Sequence, residues 1–299
     1  MILVFGGNGQ LGQELTRAAA SRAISMRALS RADADIGDSA AVRAALALGK
    51  PDLVVNAAAY TKVDLAETNV EDARRDNEVG PAVLANACAV AGVPMVHLST
   101  DYVFDGTTAG ARLESDPLCP INVYGRTKAA GEDAVRHILK RHVIIRTAWL
   151  YSEFGHNFLK TILRLAATRD ELRIVADQHG SPTSARDVAA AILNIAPVLL
   201  RGEDTWGTFH FTAGGVTTWY GFGSRIVAIQ APITGHNPRM VPIQTAEYPT
   251  AAQRPANSHL DCRLFAQVFG FSPRHWTEGV DATTRTLAAS SQQLASHVA

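Results

Sequence analysis

The chain has 299 residues, 47% hydrophobic and 19% charged, a balance that excludes disorder and fibrous repeats and suffices for one large α/β domain or a domain with an appended lobe. Its 28 basic and 28 acidic residues cancel and form no basic run, which excludes the electrostatic footprint of a nucleic-acid binder. Three cysteines, Cys88, Cys119 and Cys262, show no C-x-x-C spacing, so neither a disulfide framework nor a zinc knuckle is read.

In chain order, Ile2 to Phe5, Ser25 to Leu29, Leu53 to Asn56, Met95 to Ser99 and Val143 to Arg146 read as buried strands. Between them Leu11 to Arg22, Ser39 to Leu48, Gly80 to Ala91 and Lys128 to Leu139 carry apolar residues at helical spacing. This β-α alternation predicts a Rossmann-like, doubly wound parallel sheet covered by helices on both faces, with ligands beyond the carboxyl ends of its strands. The second half reads as a helix over Asn157 to Ala167, a strand over Leu172 to Ala176 and a helix over Ser184 to Ile195. A strand over Gly207 to Thr212, a helix over Thr218 to Ile229 and a Pro-rich region from Pro232 to Pro255 follow. The expected division is a dinucleotide-binding domain over 1–150, completed by 183–212, and a smaller discontinuous substrate lobe within 151–299. The tail from Ala288 to Ala299 has no periodic apolar face and is expected to fray. No basic leader precedes Ile2, and the most apolar long stretch, Val188 to Leu200, is interrupted by Asn194 and Pro197. A cytoplasmic protein without a membrane span is therefore expected.

Directly after the first strand comes GGNGQLG, with Gly6, Gly9 and Gly12 at three-residue intervals before a helix opening near Gln10. Glycines admit a pyrophosphate close to the backbone, and the helix start aims N–H groups and a positive dipole end at it. The spacing matches the G-x-x-G-x-x-G variant of short-chain-type reductases. About 20 residues further an acid would bind the ribose of NAD, an arginine the 2′-phosphate of NADP. The chain reads Leu29-Ser30-Arg31, which favours NADPH, with NADH as the alternative because Asp33 or Asp35 lies within reach of a ribose hydroxyl; Asp35 and Ile36 are expected to flank the adenine.

The fourth strand ends in HLSTDYVFDG, and NVYGRTKAAGE follows at 122–132. Tyr124 and Lys128 sit at i and i+4 and so share a helix face. Together with Thr100 they make a carbonyl-reducing set. Tyr124 protonates the nascent alkoxide, Lys128 holds the nicotinamide ribose, and Thr100 shares a proton with the substrate oxygen. An ordinary phenol pKa of about 10 is high for this task, and the Lys128 ammonium and the oxidised nicotinamide are expected to lower it. Arg254 in QRPANS either clamps a diphosphate through its planar fork or pairs with a surface acid. His97 is expected in the core, and the histidines lack ligand spacing, so no catalytic metal is expected.

The segments GGNGQLG, NAAAYTKVDLAE, STDYVFDG, NVYGRTKAAGE, IIRTAWLY and RPANS, in that order, resemble the dTDP-4-dehydrorhamnose reductases of the extended short-chain dehydrogenase/reductase superfamily, over nearly the whole chain. The resemblance implies NAD(P)H-dependent reduction of the 4-keto group of dTDP-4-dehydro-L-rhamnose to dTDP-L-rhamnose, which supplies activated rhamnose for cell-surface polysaccharide. It further implies that Gly9, Gln10 and Leu11 meet the pyrophosphate, that Ala59, Tyr60 and Thr61 line the cofactor, and that Thr100, Asp101 and Trp149 face the sugar. Ser30 stands where some members carry an NAD-selecting Asp. Glu14 matches one ligand of the metal that bridges some dimers of the family, but Arg186 replaces another, so that site is not expected. The partner is then a small nucleotide sugar bound by a monomer or homodimer. Two alternatives remain: reduction of another nucleotide-linked 4-keto-6-deoxyhexose, and a non-catalytic dinucleotide-binding regulatory subunit, which would have no chemical need for Tyr124.

Overall fold

The computed structural model describes residues 1–202 and 205–298, with 291–298 by backbone only. Six strands form its central sheet: β1 (Ile2–Phe5), β2 (Met26–Leu29), β3 (Leu53–Asn56), β4 (Met95–Thr100), β5 (His142–Thr147) and β6 (Gly207–His210). Their spatial order is β6-β5-β4-β3-β1-β2, and every pairing is parallel. Alternate residues serve opposite cores. Ile2 and Val4 pack with Leu11 and Leu15 of the Gln10–Ser21 helix and Val188 and Ile192 of the Ala185–Leu200 helix. Leu3 and Phe5 face Val42 and Leu46 of the Ser39–Gly49 helix, Leu84 of Gly80–Ala91 and Val135 of Val123–Ile138. Burial on both faces is why these strands read as unbroken apolar runs rather than as alternating ones.

From β1 the chain moves outward to β2, then returns to place β3 on the other side of β1. Such a reversal opens a crevice at the carboxyl ends of β1 and β3, where ligands bind in sheets of this kind. A third apolar cluster, apart from those on the two sheet faces, gathers the helices Phe158–Ala166, Trp219–Thr234 and Trp276–Val298 around Trp149, Phe222 and Trp276.

The structure departs from the sequence reading in several places, among them the helices Arg263–Phe269 and Trp276–Val298, where that reading has no helix. Within the Pro-rich region Arg239–Ile243 forms a strand parallel to Glu171–Val175. Pro242 is tolerated because the pair is two-stranded and leaves one edge without a ladder to satisfy. Between β3 and the Gly80–Ala91 helix lie short helices at Val63–Ala66 and Val70–Arg74 and a π-turn at Arg75–Val79. The tail continues the last helix to Val298 instead of fraying. Extending a helix already anchored by Trp276 and Val280 avoids the nucleation cost, and Ala, Gln and Leu are good helix formers. Ala299 lies outside the described residues. No helix among the described residues is long and apolar enough to cross a membrane.

Candidate active site

A cavity of about 380 Å³ opens at the β1/β3 crevice. Its wall brings together Gly6, Gly9, Ser30, Arg31, Ile36, Ala59, Tyr60 and Thr61, from the turns after β1, β2 and β3. Gly6 has φ +87°, and a Cβ on it would lie 2.6 Å from the Ala58 nitrogen, so only glycine lets the first and third turns approach this closely. The Gln10–Ser21 helix starts at Gly9 with no side-chain cap and no acid in its first turn, leaving its positive end for an anion. A dinucleotide fits this arrangement: two wall glycines carry no side chain, and a helix start lies where a pyrophosphate needs donors.

Not every expected contact reaches the wall. Leu11 is buried in the core, and Gln10 accepts from Asn157 Nδ2 at 2.9 Å, tying the helix start to the second half of the chain. Asp33 is bonded by the backbone and hydroxyl of Ser30 at 2.8 and 2.6 Å. Asp35 lies outside the wall and holds Arg75 Nη2 at 2.6 Å.

Thr100, Tyr124 and Lys128 gather at the carboxyl end of β4. The Val123–Ile138 helix starts on Asn122, whose Oδ1 accepts from Gly125 N at 2.8 Å while its Nδ2 donates to the Gln253 carbonyl at 2.8 Å. A Cβ at Gly125 would meet the Tyr102 carbonyl at 2.1 Å, so this glycine seats the helix against the β4 turn. Tyr124 stands beside Thr100 and packs edge-on to Tyr102, with ring centroids 5.5 Å apart. Thr100 Oγ1 donates to Asp101 Oδ1 at 3.0 Å and accepts from Tyr102 N at 3.2 Å. With its single proton given to Asp101, Thr100 stands between that carboxylate and the Tyr124 phenol, so the three side chains cluster at one point. Lys128 is buried and donates from Nζ to the Leu98 carbonyl at 2.6 Å.

Electrostatics correct one expectation. Tyr124 keeps part of its surface open but is ringed by protein. Burial pushes its phenol up to about 12, and the Asp101 charge adds to this against the pull of the Thr100 hydroxyl. Burial also brings Lys128 down to about 8, opposed by the charge of Glu132. Loss of water is the largest cause for both groups, and the Lys128 ammonium is not among the causes acting on Tyr124. Burial raises Asp101 to about 6 against the pull of its hydroxyl neighbours; Ser258 lies beside it without closing a well-formed bond to Oδ2.

Arg254 lies over the Tyr102 ring at 6.0 Å and donates to Asp64 Oδ2 at 2.7 Å. Its buried Nη1 has no partner among the described residues, an orphaned donor suited to an anionic oxygen. Trp149 stacks on Trp219, with centroids 3.7 Å apart and planes 12° off parallel, inside the third cluster. Its φ of +49° is unusual for an indole residue and marks a strained turn where β5 ends.

A dTDP-4-dehydrorhamnose reductase of Sinorhizobium fredii is 42% identical over 279 residues, 93% of this chain and 94% of that protein. The family model described as "RmlD substrate binding domain" matches residues 1–289. The chain belongs to the dTDP-4-dehydrorhamnose reductase family. Among solved structures, a dTDP-4-dehydrorhamnose reductase from Clostridium acetobutylicum matches with TM-score 0.88 and 37% identity, covering 96% of this chain and 99% of that one. One from Bacillus anthracis, in complex with NADP, matches with TM-score 0.86 and 32% identity, covering 94% and 97%.

Within this reductase family's scaffold, sequence reasoning missed several polar side chains that hold the site. Asn77, fully buried on the π-turn, accepts from Tyr60 N at 2.9 Å and donates to the Tyr60 carbonyl at 3.1 Å and Thr127 Oγ1 at 3.2 Å. Glu132 receives a bidentate pair from Arg146, Nε to Oε1 at 2.9 Å and Nη2 to Oε2 at 2.7 Å. The i+4 spacing of Glu132 from Lys128 was the signal that could have found it. Glu14 is occupied by Ser152 Oγ at 2.7 Å and Arg17 Nη2 at 2.5 Å, and no three His, Cys, Asp or Glu side chains converge among the described residues.

Proposed function

We propose that the chain reduces the 4-keto group of dTDP-4-dehydro-L-rhamnose to give dTDP-L-rhamnose, using a nicotinamide dinucleotide and preferring NADPH. The observation that carries this is the Tyr124–Thr100–Asp101 cluster with Lys128 beside it, at the carboxyl end of β4 in a member of this family. When bound, the reduced nicotinamide supplies the hydride for the carbonyl carbon. The protein's part is to orient the ketone and deliver a proton to its oxygen. A phenol held neutral by burial is a donor throughout the neutral range, and Thr100 lies beside it to share the substrate oxygen. Lys128 would hold the nicotinamide ribose, Gly6 and Gly9 the pyrophosphate, and Arg31 a 2′-phosphate. Turnover of dTDP-4-dehydro-L-rhamnose, run in parallel with NADPH and NADH, tests the proposal. Activity only with another 4-keto nucleotide sugar would replace the substrate. No turnover of any such sugar, with the dinucleotide still bound, would leave a binding subunit.

Arg254 is assigned to the substrate diphosphate. Arg254→Ala is expected to raise KM for the dTDP-sugar about 10- to 100-fold, the range of hydrogen bonds to charged groups, with cofactor affinity unchanged by direct titration. An unaltered KM would show that the diphosphate is held elsewhere and that Arg254 serves only Asp64.

A further inference from the structure

The π-turn Arg75–Val79 sets two adjacent ionic side chains beside the dinucleotide cavity. Asp76 is 4% exposed and lies in the cavity wall with Ser30 and Arg31. Both its oxygens are engaged: Oδ2 by Arg31 Nη2, and Oδ1 by Arg75 Nη1 at 3.3 Å. Arg75 in turn holds Asp35 at 2.6 Å. The rim of the cavity is thus a row of alternating charge, Arg31–Asp76–Arg75–Asp35, in which the cation facing the cavity is already paired.

The two forms of the cofactor ask opposite things of this rim. A 2′-phosphate is dianionic and accepts hydrogen bonds, so it competes with Asp76 for the Arg31 fork and lies near a buried carboxylate of like charge. An unphosphorylated ribose presents hydroxyl donors and needs an acceptor, which Asp76 provides. Of the nearby acids, Asp33 and Asp35 both lie outside the wall, and Asp76 is in it. We propose that Asp76 tempers the NADPH preference that Arg31 confers: it restrains Arg31 from the 2′-phosphate of NADPH and offers its own carboxylate to the ribose of NADH. This makes Asp76 a specificity-determining residue, and the proposal rests on the reading that the Arg31 end of the cavity holds the adenosine ribose.

The test measures KM and direct-titration Kd of the purified chain for both cofactors in Asp76→Asn, Asp76→Ala, Arg31→Ala and the double variant Asp76→Asn/Arg31→Ala. Asp76→Asn is expected to shift the ratio of affinities toward NADPH about five- to tenfold, a modest change because Arg31 is largely solvent-exposed. Asp76→Ala should move it the same way, and the shift should vanish when Arg31 is also alanine, since the two residues act as a unit. If Arg31→Ala weakens NADPH selectively while both Asp76 variants leave the ratio unchanged or move it toward NADH, the proposal is overturned and the reading of the cavity stands. Should Arg31→Ala leave both affinities unchanged, the 2′-phosphate is held elsewhere and both fall together.

Discussion

Tyr124→Phe is expected to lower kcat by about 10²- to 10⁴-fold, the worth of a positioned general acid, while the dinucleotide binds as before. The substitution removes the hydroxyl beside Thr100 and keeps the ring that packs on Tyr102. Activity within a few-fold of the parent would mean that another group protonates the alkoxide, with Thr100 and Asp101 next in line. The pH profile of the parent gives a linked check. Lys128, brought to about 8, loses its charge as pH rises through that value, whereas Tyr124 at about 12 keeps its proton. In the free protein kcat/KM should therefore fall above about 8 through a loss of cofactor affinity and not through loss of the acid. A basic limb that leaves cofactor affinity untouched would contradict the assigned role of Lys128.

Glu132→Ala is expected to destabilise the fold by about 3–5 kcal/mol, the cost of breaking a buried ion pair and leaving one charge uncompensated. Arg146 is 2% exposed and Glu132 is 0% exposed; among the described residues the guanidinium's other hydrogen-bond partners are His210 Nε2 at 3.3 Å and the Glu114 carbonyl at 3.5 Å, and it lies 5.1 Å from the Phe104 ring centre, none of them a negative charge. Burial alone raises the Glu132 carboxyl, but the Arg146 hydrogen bonds and charge overcome this and hold it below the ordinary 4.5. A carboxyl depressed in the folded state contributes stability above its unfolded pKa and loses it as pH falls through the folded value. The difference between parent and variant in urea unfolding should accordingly be full at pH 7 and shrink in acid. A loss under 1 kcal/mol at pH 7 would show that water replaces Glu132 at little cost.

The parts of this architecture that were legible from sequence share one physical cause. Parallel strands buried on both faces cannot alternate, so Ile2–Phe5 and Leu53–Asn56 appear as uninterrupted apolar runs, and the helices between them show their apolar stripe. The glycine turn and the Tyr124/Lys128 pair were legible because backbone approach and shared helix faces impose fixed spacings. What stayed hidden depends on long-range polar pairing. The π-turn sequence RDNEV has no apolar period, yet Asp76 and Asn77 are buried in it because partners from other segments satisfy them. Arg31 read as a free cation because nothing in its neighbourhood of sequence announces Asp76, 45 residues away. Likewise the elevated Tyr124 pKa follows from burial, which spacing alone does not reveal.

The sixth strand has a consequence for how the protein is made. β6 pairs with β5 only after the chain has passed through the Phe158–Ala166 and Ala185–Leu200 helices, so some 60 residues separate the two partners. At ribosomal rates of about 5–20 residues per second, the open edge of β5 waits roughly 3–12 s for its neighbour to be synthesised. During that interval Val143 and Ile145 lack the cover of Val188, Ile192 and Phe209, and a bare hydrophobic edge is a template for pairing with another chain. The nascent polypeptide thus passes through an aggregation-prone window set by its connectivity, one that slower synthesis would lengthen and a holdase chaperone would shield.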